Sequence, residues 1–452
     1  MNKFRLKKST CAVFLSCSLT ASLLTLSNPA HATDLLSAYH NAVAYDAQFA
    51  AARAALEAGR EKLPQGRAGL LPNIGLNGST AWNDNRSTPR ATGIENTAKY
   101  NTNGWTVSLT QPLFRWQNWV AYNQSELAVT LAKAQFAQAR QDLILRVSQA
   151  YFDVLLAQDA LATVQAQKVA TTEQLASAKR SFEVGTATIT DTNEAQSRYD
   201  LLVAQEIAAQ NDLAVKQETL RTVVGKETGT LANLRPGVTL LSPQPNDMSA
   251  WVSMAETVNP GVASAQAAFE IATREVERQR AGHYPTLDLI ASHGKSGIGT
   301  EGAAAFGGLD NRSNTIGLQL SIPVYSGGAT VSRDREAVAL KEKAASDLDY
   351  ARRQAALSAR QSYLGVNAGL SQVKAFEAAL VSSQSSLDSN KLGYDVGVRI
   401  NIDVLNAQSQ LYATQQSLSK ARLDTLLALL RLKSAAGSLN EQDVQAVNAL
   451  LQ

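Results

Sequence analysis

This chain contains one long segment twice, in copies that lie about 212 residues apart. Residues 181–205 read SFEVGTATITDTNEAQSRYDLLVAQ, and residues 393–417 read GYDVGVRINIDVLNAQSQLYATQQS. When the two copies are aligned, Val184-Gly185 corresponds to Val396-Gly397, Asp191 to Asp403, and Ala195-Gln196 to Ala407-Gln408. A repeat near half the chain length excludes a solenoid of short units, whose period is about 20–50 residues. The sequence therefore predicts two large, similar halves.

Both halves share one order of predicted elements: a helix, a pair of extended segments, a very long helix and a further helix. The match extends upstream, where Arg67-Ala68-Gly69 and Pro72 correspond to Arg280-Ala281-Gly282 and Pro285. Between the halves, prolines at 236, 243 and 245 indicate a non-helical linker. We divide the chain into a signal peptide (1–32), a first repeat (33–234), a linker (235–248) and a second repeat (249–452).

The N-terminus has the parts of a secretory signal peptide. A basic start, MNKFRLKK, precedes an apolar stretch and the Ala30-His31-Ala32 cleavage signal. A lipid anchor at Cys17 is an alternative, but the apolar stretch continues past it to the better cleavage site. Cleavage removes both cysteines and four cations, so the formal net charge falls from +3 to −1. That charge gives no case for nucleic-acid binding, and the signal indicates export to a didermic bacterial envelope or secretion.

A stretch without proline or glycine predicts one helix from about Trp119 to Phe182. At 1.5 Å per residue it is roughly 95 Å long, which is typical of a coiled coil or a helical tube. Apolar residues step by four and three, as in a heptad seam, at Leu143, Val147, Ala150, Val154, Ala157, Leu161 and Val164. A second apolar line beside the seam favours a closed ring of helices. An ordinary bundle core explains the periodicity but not the length.

Four segments alternate between apolar and polar residues with a period of two, as strands do. Ile74, Leu76 and Trp82 form one such line, and Ile316, Leu318 and Leu320 form another. The loops between them are predicted at 84–100 and 293–314. The alternation fits both a water-filled membrane barrel and a half-buried soluble sheet. Because known membrane barrels need about eight strands or more, a barrel here requires several copies of the chain.

With the repeated V-G turn and the long helices, the chain resembles the TolC-like outer-membrane efflux protein family over nearly all of its mature length. The resemblance implies a mainly α fold with a transmembrane β-barrel portion. In that fold a homotrimer forms an α-helical barrel. A shared 12-stranded β-barrel, with four strands from each protomer, continues this helical barrel. It also implies a cell outer membrane location with a long periplasmic extension. The implied partners are outer membrane lipid, a periplasmic adaptor (membrane fusion) protein and an inner-membrane transporter.

The resemblance also assigns roles at the periplasmic end. It places the adaptor-docking tips at Val184, Gly185, Val396 and Gly397, although a plain helix–helix turn needs the same residues. Asp403 is implied to line the pore entrance, where the alternative is a helix cap. The family pattern has a second acidic residue three positions later, and here that residue is Asn406, which halves the expected fixed charge. The implied gate links join Tyr394 and Arg399 to Thr190 and Asp191.

Other function classes find little support in the sequence. The mature chain has no cysteine, no G-x-S-x-G motif and only three histidines, at 40, 283 and 293, so we expect no enzyme, no cofactor and no metal site. A trimeric coiled-coil surface fibre or adhesin is the alternative, although a fibre does not need two matched halves with strands. The transported substrate stays open between drugs, metals and proteins.

Overall fold

The computed structural model describes residues 33–226, 229–240, 242–299 and 308–452, so the predicted signal peptide and part of the second loop lie outside it. The elements of the first half are α1 (Leu35–Tyr45), α2 (Ala47–Arg60), α3 (Lys62–Ala68), β1 (Asn73–Ser87), β2 (Asn96–Phe114), α4 (Trp116–Glu183) and α5 (Ile189–Val224). The second half comprises α6 (Met248–Val258), α7 (Pro260–Arg280), β3 (Thr286–Ile298), β4 (Leu309–Ser321), α8 (Ala329–Asp395), α9 (Asn401–Ala435) and α10 (Glu441–Asn448).

Two helices dominate the molecule. Helix α4 has 68 residues and α8 has 67, so each is about 100 Å long at 1.5 Å per residue. The predicted seam of α4 is buried from Leu143 to Ala157, and Leu161 and Val164 are half-buried. In the second half, Gly369 of α8 lets α9 approach closely, because a Cβ there would lie 2.4 Å from Thr425 Oγ1. The glycine at this position therefore allows close packing of α8 against α9.

The largest core lies where α4 passes the chain termini. Tyr151 on α4 is fully buried and donates its hydroxyl to the carbonyl oxygens of Thr33 (3.0 Å) and Ala232 (2.8 Å). Burial, together with the nearby Asp34 carboxylate, raises the pKa of Tyr151, so the hydroxyl remains a donor. Short bridges join Thr33 to Leu231 and Leu234 to Leu451. The first described residues, the segment just before the linker and the C-terminus thus lie together beside α4.

The four strands form one antiparallel sheet in the order β1-β2-β3-β4. They extend further into the predicted loops than the sequence suggested, since β1 pairs with β2 as far as Ser87 and Asn96. Likewise, β3 and β4 pair as far as Ile298 and Leu309. The predictions of loops at 84–100 and 293–314 were therefore too long. Their Asn, Gly and Thr residues hide the alternation of the strands, but the backbone pairing continues.

The two faces of the sheet differ in polarity, and both are exposed. In-register rows such as Ile74–Leu109–Ala291–Ile316 place apolar residues on one face. The next row, Gly75–Ser108–Ser292–Thr315, lies on the other face and is polar. Ile316 is 77% exposed and Leu76 is 72% exposed. A soluble protein would bury such an apolar face, so this sheet is built for another environment.

The helix that the sequence predicts at the start of the first half is in fact three helices. Asp46 has extended backbone dihedrals, and its carboxylate accepts a hydrogen bond from the amide of Phe49 (2.6 Å) at the start of α2. An Asp that caps one helix ends the preceding one, which the alanine-rich composition did not reveal. Among the described residues, no helix combines the length and hydropathy that crossing a membrane requires.

Candidate functional site

The candidate site is the end of the molecule where α4 turns into α5 and α8 turns into α9. Both turns have the hydrogen bonds of a Schellman motif. In the first turn, Thr186 N–H donates to the Ser181 carbonyl (2.8 Å) and Gly185 N–H donates to the Phe182 carbonyl (3.0 Å). In the second turn, Val398 and Gly397 make the equivalent bonds at 2.8 and 3.0 Å. Gly185 and Gly397 have φ values of 78° and 77°, which glycine adopts without strain.

Apolar side chains are exposed at both turns. Val184 is 74% exposed and Val396 is 65% exposed. Three further apolar residues lie beside them, namely Ile189, Val398 and Ile400, and each is more than half exposed. The predicted docking residues therefore belong to a larger apolar end surface, in which Ile189, Val398 and Ile400 were not predicted. The run Val396-Gly397-Val398 was the available signal for Val398.

The two matched aspartates have different local roles. Thr188 caps α5, and Asp191 completes a capping box by accepting hydrogen bonds from the Thr188 amide (3.0 Å) and hydroxyl (2.8 Å). In the second half, Ile400 occupies the cap position and has no side-chain acceptor. Asp403 is therefore not part of a capping box, and its carboxylate lies 3.6 Å from the Arg399 guanidinium on a half-exposed surface.

The four predicted gate-link residues lie near this end, and the contacts found for Asp191, Arg399 and Tyr394 run to other residues of the protomer. Thr190 is exposed, and Asp191 is engaged in its capping box. Arg399 pairs with Asp403, and Tyr394 packs beside the cluster of Val404 and Leu411. The links that join Tyr394 and Arg399 to Thr190 and Asp191 remain a prediction.

A different polar link joins the two halves inside one protomer. Asn401, at the start of α9, is only 2% exposed. Its amide oxygen accepts a hydrogen bond from the Gln174 amide on α4, and its amide nitrogen donates to the Asp191 carbonyl (3.4 Å). Leu405, one turn further on, packs into the groove between α4 and α5. Sequence reasoning missed Asn401 because its partners lie more than 200 residues away.

Asn406, predicted to lie at the pore entrance, takes part in a second link. Its amide oxygen accepts a hydrogen bond from the Arg198 guanidinium of α5 (2.9 Å). Further from the tips, Lys168 of α4 donates to Glu206 of α5 (2.6 Å), and this bond raises the pKa of Lys168 and lowers that of Glu206. The α4–α5 pair is thus tied internally and also to α9.

Known proteins share this architecture and much of the sequence. The family model described as "Outer membrane efflux protein" matches residues 38–226 and 251–438. The outer membrane protein TolC of Vibrio cholerae is 34% identical over 435 residues, which cover 96% of this chain and 97% of TolC. The alkaline protease secretion protein AprF of Pseudomonas aeruginosa is 36% identical over 433 residues, which cover 95% of this chain and 89% of AprF.

Solved structures match the fold. The CmeC outer membrane channel of Campylobacter jejuni has a TM-score of 0.78 at 15% identity, covering 92% of this chain and 90% of CmeC. The outer membrane protein VceC of Vibrio cholerae has a TM-score of 0.74 at 20% identity, covering 89% of this chain and 96% of VceC. These matches confirm the predicted fold class of an α-helical barrel with a β-barrel part. Two matched segments of the family model and relatives aligned over nearly the full length lead to one conclusion: this chain belongs to the outer membrane efflux protein family.

Proposed function

We propose that this chain forms a passive exit channel in the outer membrane, built from three copies and used by an efflux or type I secretion system. The observation that carries the proposal is the four-stranded sheet with an exposed apolar face, a polar face and two open edges. In lipid, every backbone polar group needs a partner, so β1 and β4 must pair with other copies. Closing the sheets around the polar face creates a water-filled passage.

The helices support the same assembly. Helices α5 and α8 carry exposed apolar residues along their length, which are Leu201, Ile207 and Val215 on α5 and Leu340, Leu357, Leu364 and Val381 on α8. Isolated protomers would expose these residues to water, whereas a ring of protomers buries them. A surface fibre would also bury helical residues, but it has no use for an apolar outer sheet face. The relatives are channel proteins, which favours a channel over an enzyme.

The passage itself offers no energy source, so we propose a periplasmic adaptor and an inner-membrane transporter as partners. The relative named for alkaline protease secretion supports protein export, and the family description supports efflux. Asp403 of each protomer would form a ring of three carboxylates at the periplasmic entrance. The negative field of this ring would favour cations. The neighbouring Arg399 weakens that field, and the neutral Asn406 adds no charge to it.

We propose that Tyr394 and Arg399 hold this entrance narrow through contacts with Thr190 and Asp191 of the adjoining helix pair. The test is single-channel conductance in planar bilayers for the double variant Tyr394→Phe with Arg399→Ser. We expect a higher conductance than that of the unmodified channel, because the links across the entrance are lost. Arg353→Ser is the matched control, since Arg353 pairs with Asp349 four residues earlier on α8, at 2.6 Å on an exposed surface. Equal conductance in the double variant would remove the gate assignment.

We propose that the adaptor docks on the apolar end surface around Val184 and Val396. Val184→Asp or Val396→Asp should reduce co-purification of the adaptor at least severalfold, because a desolvated carboxylate opposes apolar contact. Trimers should persist on native gels, since both valines lie outside the helices of the ring. Val169→Asp, at an exposed valine on the side of α4, is the control. Undiminished recovery in both tip variants would place docking elsewhere.

A further inference from the structure

A pair of cations lies on the apolar face of the sheet, at the end remote from the helices. Lys295 of β3 and Arg312 of β4 are direct register partners, and Lys295 is also the register partner of Trp105 on β2. Register partners share a face, so all three side chains lie on the face that carries Val107 and Leu109. Arg312 is exposed, and the Lys295 side chain is 38% exposed.

The height of this row on the sheet places it at a membrane boundary. The exposed Phe114, near the helices, pairs with Leu287, and Trp105 pairs with Lys295 eight residues further along β3. Eight residues span roughly 26 Å of strand, or about 20 Å of height at a tilt near 40°. That height is close to the apolar band of outer-membrane barrels, which aromatic girdles flank on both sides. Trp105 and the two cations therefore lie at the outer girdle, where lipid headgroups begin.

The adjacent positive charges of Lys295 and Arg312 destabilise the sheet unless an anion neutralises part of them. Like charges directly opposite each other on adjacent strands repel. Within the described part of the chain, Asp310 pairs with Lys295 at 2.8 Å, which leaves the row Lys295–Arg312 with a net positive charge. Phosphate oxygens are strong acceptors for a guanidinium and an ammonium held side by side. The next row of this face holds the polar pair His293–Asn314 beside Val107. Acyl chains of the same lipid would contact the apolar residues beyond that row, such as Leu109 and Ile316.

We propose that Lys295 and Arg312, beside Trp105, bind the phosphate of an anionic lipid in the outer leaflet. The proposal rests on the proposed function, because it needs the sheet to be embedded with its apolar face toward lipid. The ligand is a lipid and not a free phosphate, because the same sheet face continues, past the hydrogen-bonded pair His293–Asn314, into exposed apolar residues such as Ile316 and Leu318, which acyl chains would cover.

The experiment measures lipid association with the trimer in phosphatidylcholine vesicles by electron paramagnetic resonance. Spin-labelled phosphatidic acid is compared with spin-labelled phosphatidylcholine. We expect about fivefold stronger association of the phosphatidic acid at low salt, which is the effect of roughly one effective cation near a membrane surface. Arg312→Gln should abolish this preference, and Asp310→Asn should increase it by releasing Lys295. Lys391→Gln, on α8 near the tips, should leave the preference unchanged.

Three outcomes would overturn the site: no preference in the unmodified protein, an unchanged preference in Arg312→Gln, or loss of the preference when inorganic phosphate is added at the lipid concentration. Single-channel conductance of the same preparations separates this proposal from the channel itself. Conducting trimers without a lipid preference contradict only the lipid site. Trimers that fail to conduct contradict the proposed function.

Discussion

Gly185 and Gly397 show how single residues shape the candidate docking end. Each holds a left-handed backbone at the reversal of a helix pair, and a Cβ added there would find nothing within 4 Å. The need for glycine therefore comes from the backbone conformation and not from crowding. The exposed valines before each glycine keep their positions only while the reversal is intact.

We expect Gly185→Ala to loosen the first turn by about 1 kcal/mol, because alanine is strained at a φ of 78°. Hydrogen exchange of the Thr186 amide, which donates to the Ser181 carbonyl, measures this directly and should accelerate roughly fivefold. Gly185→Asn is the matched control, since asparagine tolerates the left-handed region, and should exchange close to the unmodified rate. Equal acceleration in both variants would mean that the turn depends on something other than backbone strain.

At the same scale, the sequence located the turns but not the contacts around them. The turns could be predicted because a local V-G signal marks each helix end, at Val184-Gly185 and at Val396-Gly397. Asn401 carried no such signal, since its role depends on Gln174 of a helix brought beside it by the fold. Links between distant segments become visible only once the packing is known.

Among the elements, a polar cluster fastens α7 of the second half to α4 of the first. Glu275 accepts hydrogen bonds from Arg278 (2.7 and 2.8 Å), Gln124 (2.9 Å) and Gln279 (2.5 Å). Burial raises the pKa of Glu275, but these hydrogen bonds outweigh it and hold the pKa at about 2, below the usual 4.5. The carboxylate therefore stabilises the fold when it is charged.

This pKa predicts a loss of stability in acid. The contribution of Glu275 is fully present above pH 4.5 and is lost as the pH falls toward 2, because the unfolded chain takes up the proton first. We expect the charged Glu275 to contribute about 2 kcal/mol to the free energy of unfolding, a value that allows for its partial exposure. Glu275→Gln should lower the unfolding temperature at pH 6 and reduce its further fall between pH 5 and pH 3.

The control for this prediction is Glu277→Gln. Glu277 forms an exposed pair with Arg274 at 3.0 Å on the same helix, and such pairs contribute little. An acid response of Glu275→Gln identical to that of the unmodified protein would show that the cluster does not stabilise the charged form.

The elements differ in how well the sequence predicted them. Helix α4 was predicted from Trp119 to Phe182 and runs from Trp116 to Glu183, because heptad periodicity and the absence of proline and glycine are strong signals. The strand ends inside the predicted loop 84–100 were missed, because small polar residues obscure the alternation there. The break at Asp46 was missed because a capping aspartate is inconspicuous among alanines.

For the whole molecule, the described residues of a single protomer leave three features without a partner. Its sheet ends in the open edges of β1 and β4, and its apolar sheet face has no covering layer. Its long helices expose apolar residues along α5 and α8. Threefold assembly in an outer membrane satisfies all of these together, since strand edges pair, helices form a ring and lipid covers the apolar face.

Electron cryomicroscopy of the detergent-purified protein would show the threefold assembly itself. We expect a particle of three copies around one open axis, with twelve strands closed into a single barrel and the β4 edge of each copy paired with β1 of the next. The polar face of each sheet should line that axis, and Asp403 of the three protomers should surround its narrow end. A monomer, or helices packed solidly along the axis with no passage, would contradict this assembly.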